Sequence, residues 1–149
     1  GDTGKQLREL VTKLGLNDTI TFNDYSNNIS KVYEAAQLLI LPSRAEGLPL
    51  TLVEAQAHGL PIIATDIKYG PRDVVNDTVD GFLIKNHDIS ALADKIIELL
   101  THPKEIQEFS ENAYKDSWKY SGQSVWKKWL QLGNDAQKQA QVPERIEVS

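Results

Sequence analysis

The sequence predicts an α/β fold, a doubly wound parallel sheet with helices on both faces, on two observations. Apolar runs such as "LLILPS" and "PIIAT" lack the polar alternation of a strand with one wet face, which is the pattern of strands covered on both sides. These runs alternate with segments of helical period, and glycine or proline marks the changes from one to the other.

Each element follows in order. "KQLRELVTKL", residues 5–14, sets Leu7, Leu10, Val11 and Leu14 at three- and four-residue spacings and is followed by Gly15, an amphipathic helix with its C-cap. "GDTG" before it reads as the turn that follows a strand, so the chain is expected to be part of a longer protein. "TITF" is a short strand and "NISKVYEAAQ" a helix with Asn28 or Ser30 as N-cap. The strand "LLILPS" precedes a helix from about Pro49 to His58. Strand "PIIAT", a short helix after Pro71, strand "GFLI" and the helix "ISALADKIIELL" complete the alternation. Beyond His102 the pattern is helix only, with "PKEIQEFSENAYKDSW" and then "SGQSVWKKWLQL", capped by Ser121 or Ser124. The domain is therefore placed at residues 1–132, and 133–149, polar and holding Pro143, is expected to be a frayed or crossing tail.

Composition narrows the function. The 149 residues suffice for one domain with a real core. A net charge of −5 without a Lys/Arg cluster argues against nucleic acid as partner. The absence of cysteine excludes disulfides, thiolate metal sites and cysteine nucleophiles and fits a reducing compartment. The longest apolar run is far below the roughly 20 residues of a membrane span. A cytoplasmic location follows as the expectation.

The most informative stretch is "RAEGLPLTLVEA", residues 44–55, where Glu46 and Glu54 are separated by seven residues across a Gly-Leu-Pro turn. Proline suits a first helical turn, because its missing N–H has no partner there anyway. Ligands of open parallel sheets bind at the carboxyl ends of the strands, where a helix N-terminus presents free amides to phosphate. Gly47 lets backbone approach a ligand, and two carboxylates beside a phosphate seat are suited to hydroxyls. A sugar nucleotide carries hydroxyls on both sides of its diphosphate. A polar stripe of Thr51, Glu54 and His58 opposite Leu50, Val53 and Ala57 would account for Glu54 equally well, and a helix dipole for Glu46.

The run from "LLILPSRAEGLPLTLVEAQAHGLPIIATD" to "DGFLI" resembles the donor-binding half of family four retaining glycosyltransferases, the group 1 type, so the fold expected is the second, Rossmann-like half of a GT-B fold. The resemblance covers about Gly1 to Leu100. It implies that Glu46, the catalytic candidate, binds hydroxyls of the transferred sugar and Glu54 the ribose. It further implies that the backbone at Gly47 and Leu48 touches the sugar and that the amides of Leu50 and Thr51 hold the diphosphate. Gly70 corresponds to a glycine-rich loop near the sugar, and Arg72 is a candidate anion partner or a solvated side chain. The enzyme implied is a hexosyltransferase using UDP-glucose or UDP-N-acetylglucosamine. "YGPRDVV" is similar to enzymes that glucosylate poly(glycerol-phosphate) teichoic acids.

Two departures stand out. Pro49 replaces a common glycine and cannot donate a hydrogen bond. The family's diphosphate-binding Arg and Lys, and its acceptor domain, would precede Gly1, so the chain alone is expected to bind donor weakly and transfer nothing. Any membrane contact, at the inner face, would come through that domain. No Asp-X-Asp pair or metal-ligand spacing occurs, so no cofactor or metal is expected. His58 reads as a helix-end residue, His87 and His102 as ordinary loop residues, and Trp118, Trp126 and Trp129 as core or interdomain packing. The rival readings are a UDP-sugar 2-epimerase-like domain and a non-catalytic flavodoxin-like binding module. A dinucleotide-dependent dehydrogenase is disfavoured because no G-x-G-x-x-G follows a strand.

Overall fold

The structure is a computed structural model and describes residues 2–140; of the expected tail, 141–149 with Pro143 lie outside the described residues. In chain order it contains α1 (Asp2–Lys13), α2 (Ile29–Ala35), β1 (Leu39–Leu41), α3 (Leu50–Ala57), β2 (Ile62–Asp66), α4 (Pro71–Val74), β3 (Gly81–Lys85), α5 (Ile89–Thr101), α6 (Pro103–Ser117) and α7 (Gly122–Ala140), with a 3-10 turn over Trp118–Tyr120 between the last two. The three strands pair in parallel in the order β1-β2-β3. The register runs from Leu39 opposite Ile62 to Asp66 opposite Lys85.

The alternation of side chains along β2 builds two cores. Ile62 and Ala64 pack with Tyr33, Leu52, Ala55 and Val74 on the face covered by α2, α3 and α4. Ile63 packs with Phe82, Ile84, Leu99 and Phe109 on the face covered by α5 and α6. Helices therefore cover both faces, as the sequence predicts. At Gly81 a side chain is excluded, because a Cβ would lie 2.1 Å from the Ile62 carbonyl oxygen.

The capping chemistry agrees with the sequence. Asn28 caps α2 through Lys31 N–H, Asp88 caps α5 through Ala91 N–H, and the Ser121 hydroxyl accepts from Ser124 N–H at the start of α7.

Several expectations are corrected or narrowed. Residues 19–22, "TITF", are not a strand. No described strand offers these residues a ladder. Covering on both faces fails for β1: it lies at the sheet edge, and Ile40 is exposed. "GDTG" is not a turn, since Asp2 onward is already helical in α1. The leucines of α1 are exposed, and only Val11 of its apolar stripe is buried among the described residues. From Gly133 to Ala140 the chain continues α7, so of the two forms expected for the tail the described part is not frayed. Trp118, Trp126 and Trp129 are exposed, Trp126 and Trp129 by 64% and 66%, so of the two expected packings the core is not met within this chain.

Candidate functional site

The loop from Pro42 to Pro49 joins β1 to α3 at the carboxyl edge of the sheet, and its sequence fixes where α3 starts. Pro49, buried, is the N-cap, and its carbonyl accepts from Leu52 N–H at 2.9 Å. Leu50 and Thr51, the first two helical residues, have no intrahelical acceptor for their amides, and neither amide is paired elsewhere among the described residues. Two adjacent free N–H groups thus stand at the end of the helix, as the sequence predicts.

The two glutamates belong to this one strand-loop-helix unit, and different neighbours hold them. Glu46, half-buried, accepts a 2.6 Å bond from the Ser43 hydroxyl. Glu54 accepts a 3.1 Å bond from the Tyr33 hydroxyl on α2. Burial, and then the bond to Glu54, push the Tyr33 phenol above its usual range. The backbone of Glu54 meets His58, whose Nδ1 donates to the Glu54 carbonyl at 2.8 Å while its ring lies 5.1 Å from that of Tyr33. His58 is thus the C-cap residue of α3. Gly47 and Leu48 are exposed on the outer loop.

A second turn closes on this loop. Gly70 has φ of +95°, and a Cβ there would lie 2.6 Å from the Gly47 carbonyl oxygen, 2.9 Å from Pro49 and 3.1 Å from Cβ of Glu46. Only glycine fits both the backbone angle and the contact. The structure thus brings Gly70 against Glu46, Gly47 and Pro49. Arg72 is drawn elsewhere: it forms a two-pronged ion pair with Asp66 at the end of β2, through Nε and a 2.7 Å bond from the second guanidinium nitrogen. This bond holds the Asp66 carboxyl below its usual value. The Arg72 guanidinium is thus engaged by Asp66, while its side chain stays largely exposed.

Sequence reasoning missed Tyr33 and Ser43, the two hydroxyls that orient the glutamates. Ser43 stands three residues before Glu46, a spacing at which a loop can fold back, whereas the Tyr33 contact depends on how α2 docks against α3 and leaves no local signal. Also missed was a buried polar group, in which Asp80 accepts from Asn76 N–H, Asn76 Nδ2 and Gln56 Nε2. Among the described residues, no group of three His, Asp or Glu side chains could hold a metal ion, and no helix is long and apolar enough to cross a membrane.

Comparison with known proteins places this geometry in a family. Residues 1–116 match the family described as glycosyl transferases group 1. The chain is 33% identical over 135 residues to the poly(ribitol-phosphate) alpha-N-acetylglucosaminyltransferase of Staphylococcus aureus, covering 90% of this chain and 27% of that protein. It is 30% identical over 129 residues to the poly(glycerol-phosphate) alpha-glucosyltransferase of Bacillus subtilis, covering 87% of this chain and 19% of that protein. The fold superposes with a TM-score of 0.80 on a crystal structure of a S. aureus TarM mutant in complex with fondaparinux, alpha-GlcNAc-glycerol and UDP, at 33% identity, over 86% of this chain and 26% of that one. The pneumococcal O-GlcNAc transferase GtfA, in complex with UDP and GlcNAc, gives a TM-score of 0.77 at 25% identity, over 88% and 27%. The chain thus spans about a quarter of the length of these relatives. With a family match over most of its residues, a GT-B-type fold and the glutamate pair on one strand-loop-helix unit, the chain belongs to the group 1 glycosyltransferases.

Proposed function

We propose that this chain is the donor-binding domain of a retaining hexosyltransferase that moves a hexose from UDP-glucose or UDP-N-acetylglucosamine to a hydroxyl of a phosphate-bearing surface polymer such as teichoic acid. The observation that carries this reading is the pair of unpaired amides at Leu50 and Thr51 with a carboxylate on either side in the chain. The diphosphate sits at these amides, where the helix end favours negative charge. Glu54, already oriented by a hydroxyl donor in Tyr33, accepts from the ribose hydroxyls. Glu46 accepts from hydroxyls of the hexose, and the backbone of Gly47 and Leu48, kept in place by the Gly70 turn, lies along the sugar.

The reaction breaks the bond from the anomeric carbon to the diphosphate oxygen and forms one from that carbon to the acceptor oxygen on the same face. The departing diphosphate takes the acceptor proton. The chain's contribution is positioning and stabilisation of the leaving charge, which requires no metal ion. A preceding acceptor domain, with an Arg and a Lys on the diphosphate and any contact with the inner membrane face, completes the enzyme. Support comes from the activities of the relatives and from the UDP bound in two of the related structures.

The test is saturation-transfer NMR on the chain with UDP-glucose and UDP-N-acetylglucosamine. Ribose and hexose protons are expected to receive magnetisation, the ribose signals falling in Glu54→Ala and the hexose signals in Glu46→Ala. Absence of transfer to either nucleotide sugar at millimolar concentration overturns the reading.

A further inference from the structure

The carboxyl edge of the sheet carries a second concave site that the donor reading leaves unused. It is a cavity of about 170 Å³ on the α5 face, bounded by Arg44 from the β1–α3 loop, Thr65 at the end of β2, and Lys85, His87 and Asp88 where β3 turns into α5. A single water needs roughly a tenth of that space.

The lining groups set the chemistry of what can bind there. Arg44 and Lys85 are exposed, and neither belongs to an ion pair among the described residues. Thr65, 9% exposed as a residue, lines the cavity, and its hydroxyl is solvent-accessible there and makes no hydrogen bond among the described residues. His87, which also lines the cavity, adopts φ of +68°, a left-handed backbone uncommon for a residue with a side chain.

The charges decide the ligand class. Two cations favour a phosphate, while Asp88 would repel one. Asp88 Oδ1 is engaged by Ala91 N–H at 3.0 Å, so its other oxygen remains to accept from a hydroxyl. A polyol phosphate satisfies every group at once, with its phosphate on Arg44 and Lys85 and its hydroxyls on Asp88 and Thr65. We propose that this cavity seats one polyol-phosphate unit of the acceptor, two loop residues away from Glu46 and separate from the donor diphosphate. Naming the occupant as acceptor rests on the function proposed above; the chemistry of the seat does not. The same phosphate could instead be that of a donor nucleotide, and the experiment separates the two.

Amide spectra of the ¹⁵N-labelled chain would be followed during separate titrations with sn-glycerol 3-phosphate, inorganic phosphate, glycerol and UDP. Glycerol 3-phosphate is expected to shift Thr65 and residues 85–88 and to leave Leu50 and Thr51 in place. It should bind more tightly than inorganic phosphate, and glycerol should not bind measurably. Arg44→Gln with Lys85→Gln, both at exposed positions, should weaken it by about tenfold, and Thr65→Val by a smaller factor, while the shifts caused by UDP persist. The proposal is overturned if residues 85–88 do not respond, if the double variant binds as well as the parent, if inorganic phosphate binds equally well, or if UDP moves the same amides and competes. Failure of the donor seat is distinguishable, because it appears as unresponsive Leu50 and Thr51 in the UDP arm whatever glycerol 3-phosphate does.

Discussion

Glu54 is held by the Tyr33 hydroxyl, so the two side chains are coupled in a testable way. Tyr33→Phe keeps the buried ring and removes the donor. Calorimetry is expected to show a loss of about 0.5–1.5 kcal/mol, the net contribution of one hydrogen bond, and UDP affinity should fall because Glu54 loses its fixed orientation. Gly70 is constrained from two directions, by its backbone angle and by the Gly47 carbonyl. Gly70→Ala should cost on the order of 1–3 kcal/mol and weaken hexose recognition more than UDP binding, since the displaced residues are Glu46 and Gly47.

Asp80 predicts a pH dependence. Burial pushes its carboxyl above the ordinary 3.8, against the opposing pull of the Asn76 bonds. A raised value in the folded chain means that the fold retains a proton the unfolded chain has lost. The associated stability is full below pH 3.8 and disappears as pH rises through the folded value. Asp66, lowered by Arg72, acts in the opposite sense, adding stability above 3.8 that is lost on acidification. Melting temperatures of the parent and Asp80→Asn, compared from about pH 4 to 7, should therefore diverge, with the variant gaining relative to the parent as pH rises. Parallel curves would contradict this.

At the scale of elements, legibility in the sequence followed the locality of the physics. Pro49 and Pro71 lie within one residue of a helix start, because proline geometry is local, and Asn28 as a cap was legible for the same reason. The unalternating runs gave β2 and β3, whose faces are both covered within this chain. They misled for β1, where burial depends on what lies at the sheet edge, and "TITF" has strand composition but no neighbouring ladder. The Glu46 to Glu54 spacing marked the candidate site, whereas Tyr33, Arg44, Thr65 and Lys85 entered only through tertiary docking. At Gly81 sequence and packing meet: Gly81→Ala would drive a methyl into the Ile62 carbonyl of β2. Denaturant titration should show a loss of about 1–3 kcal/mol or more, typical of an overfilled core, with an unchanged m-value.

Across the whole molecule, the apolar faces without cover lie at the two ends of the chain. Leu7 and Leu10 on α1, Leu14 in the turn after it, and Trp126, Trp129 and Leu130 on α7 are exposed, whereas both faces of β2 are sealed. The chain also spans about a quarter of the relatives' length. Together these observations agree with the proposed donor-binding role, with a further part of the enzyme completing the acceptor site. The chain alone is accordingly expected to show nucleotide-sugar affinity but no transfer product when incubated with UDP-glucose and a glycerol-phosphate oligomer. The most direct test of the central claim is a crystal structure of the chain with UDP: the account predicts the diphosphate within hydrogen-bond distance of the Leu50 and Thr51 amides and a ribose hydroxyl on Glu54, and a nucleotide bound elsewhere on the sheet edge, with Glu54 touching only Tyr33, would contradict it.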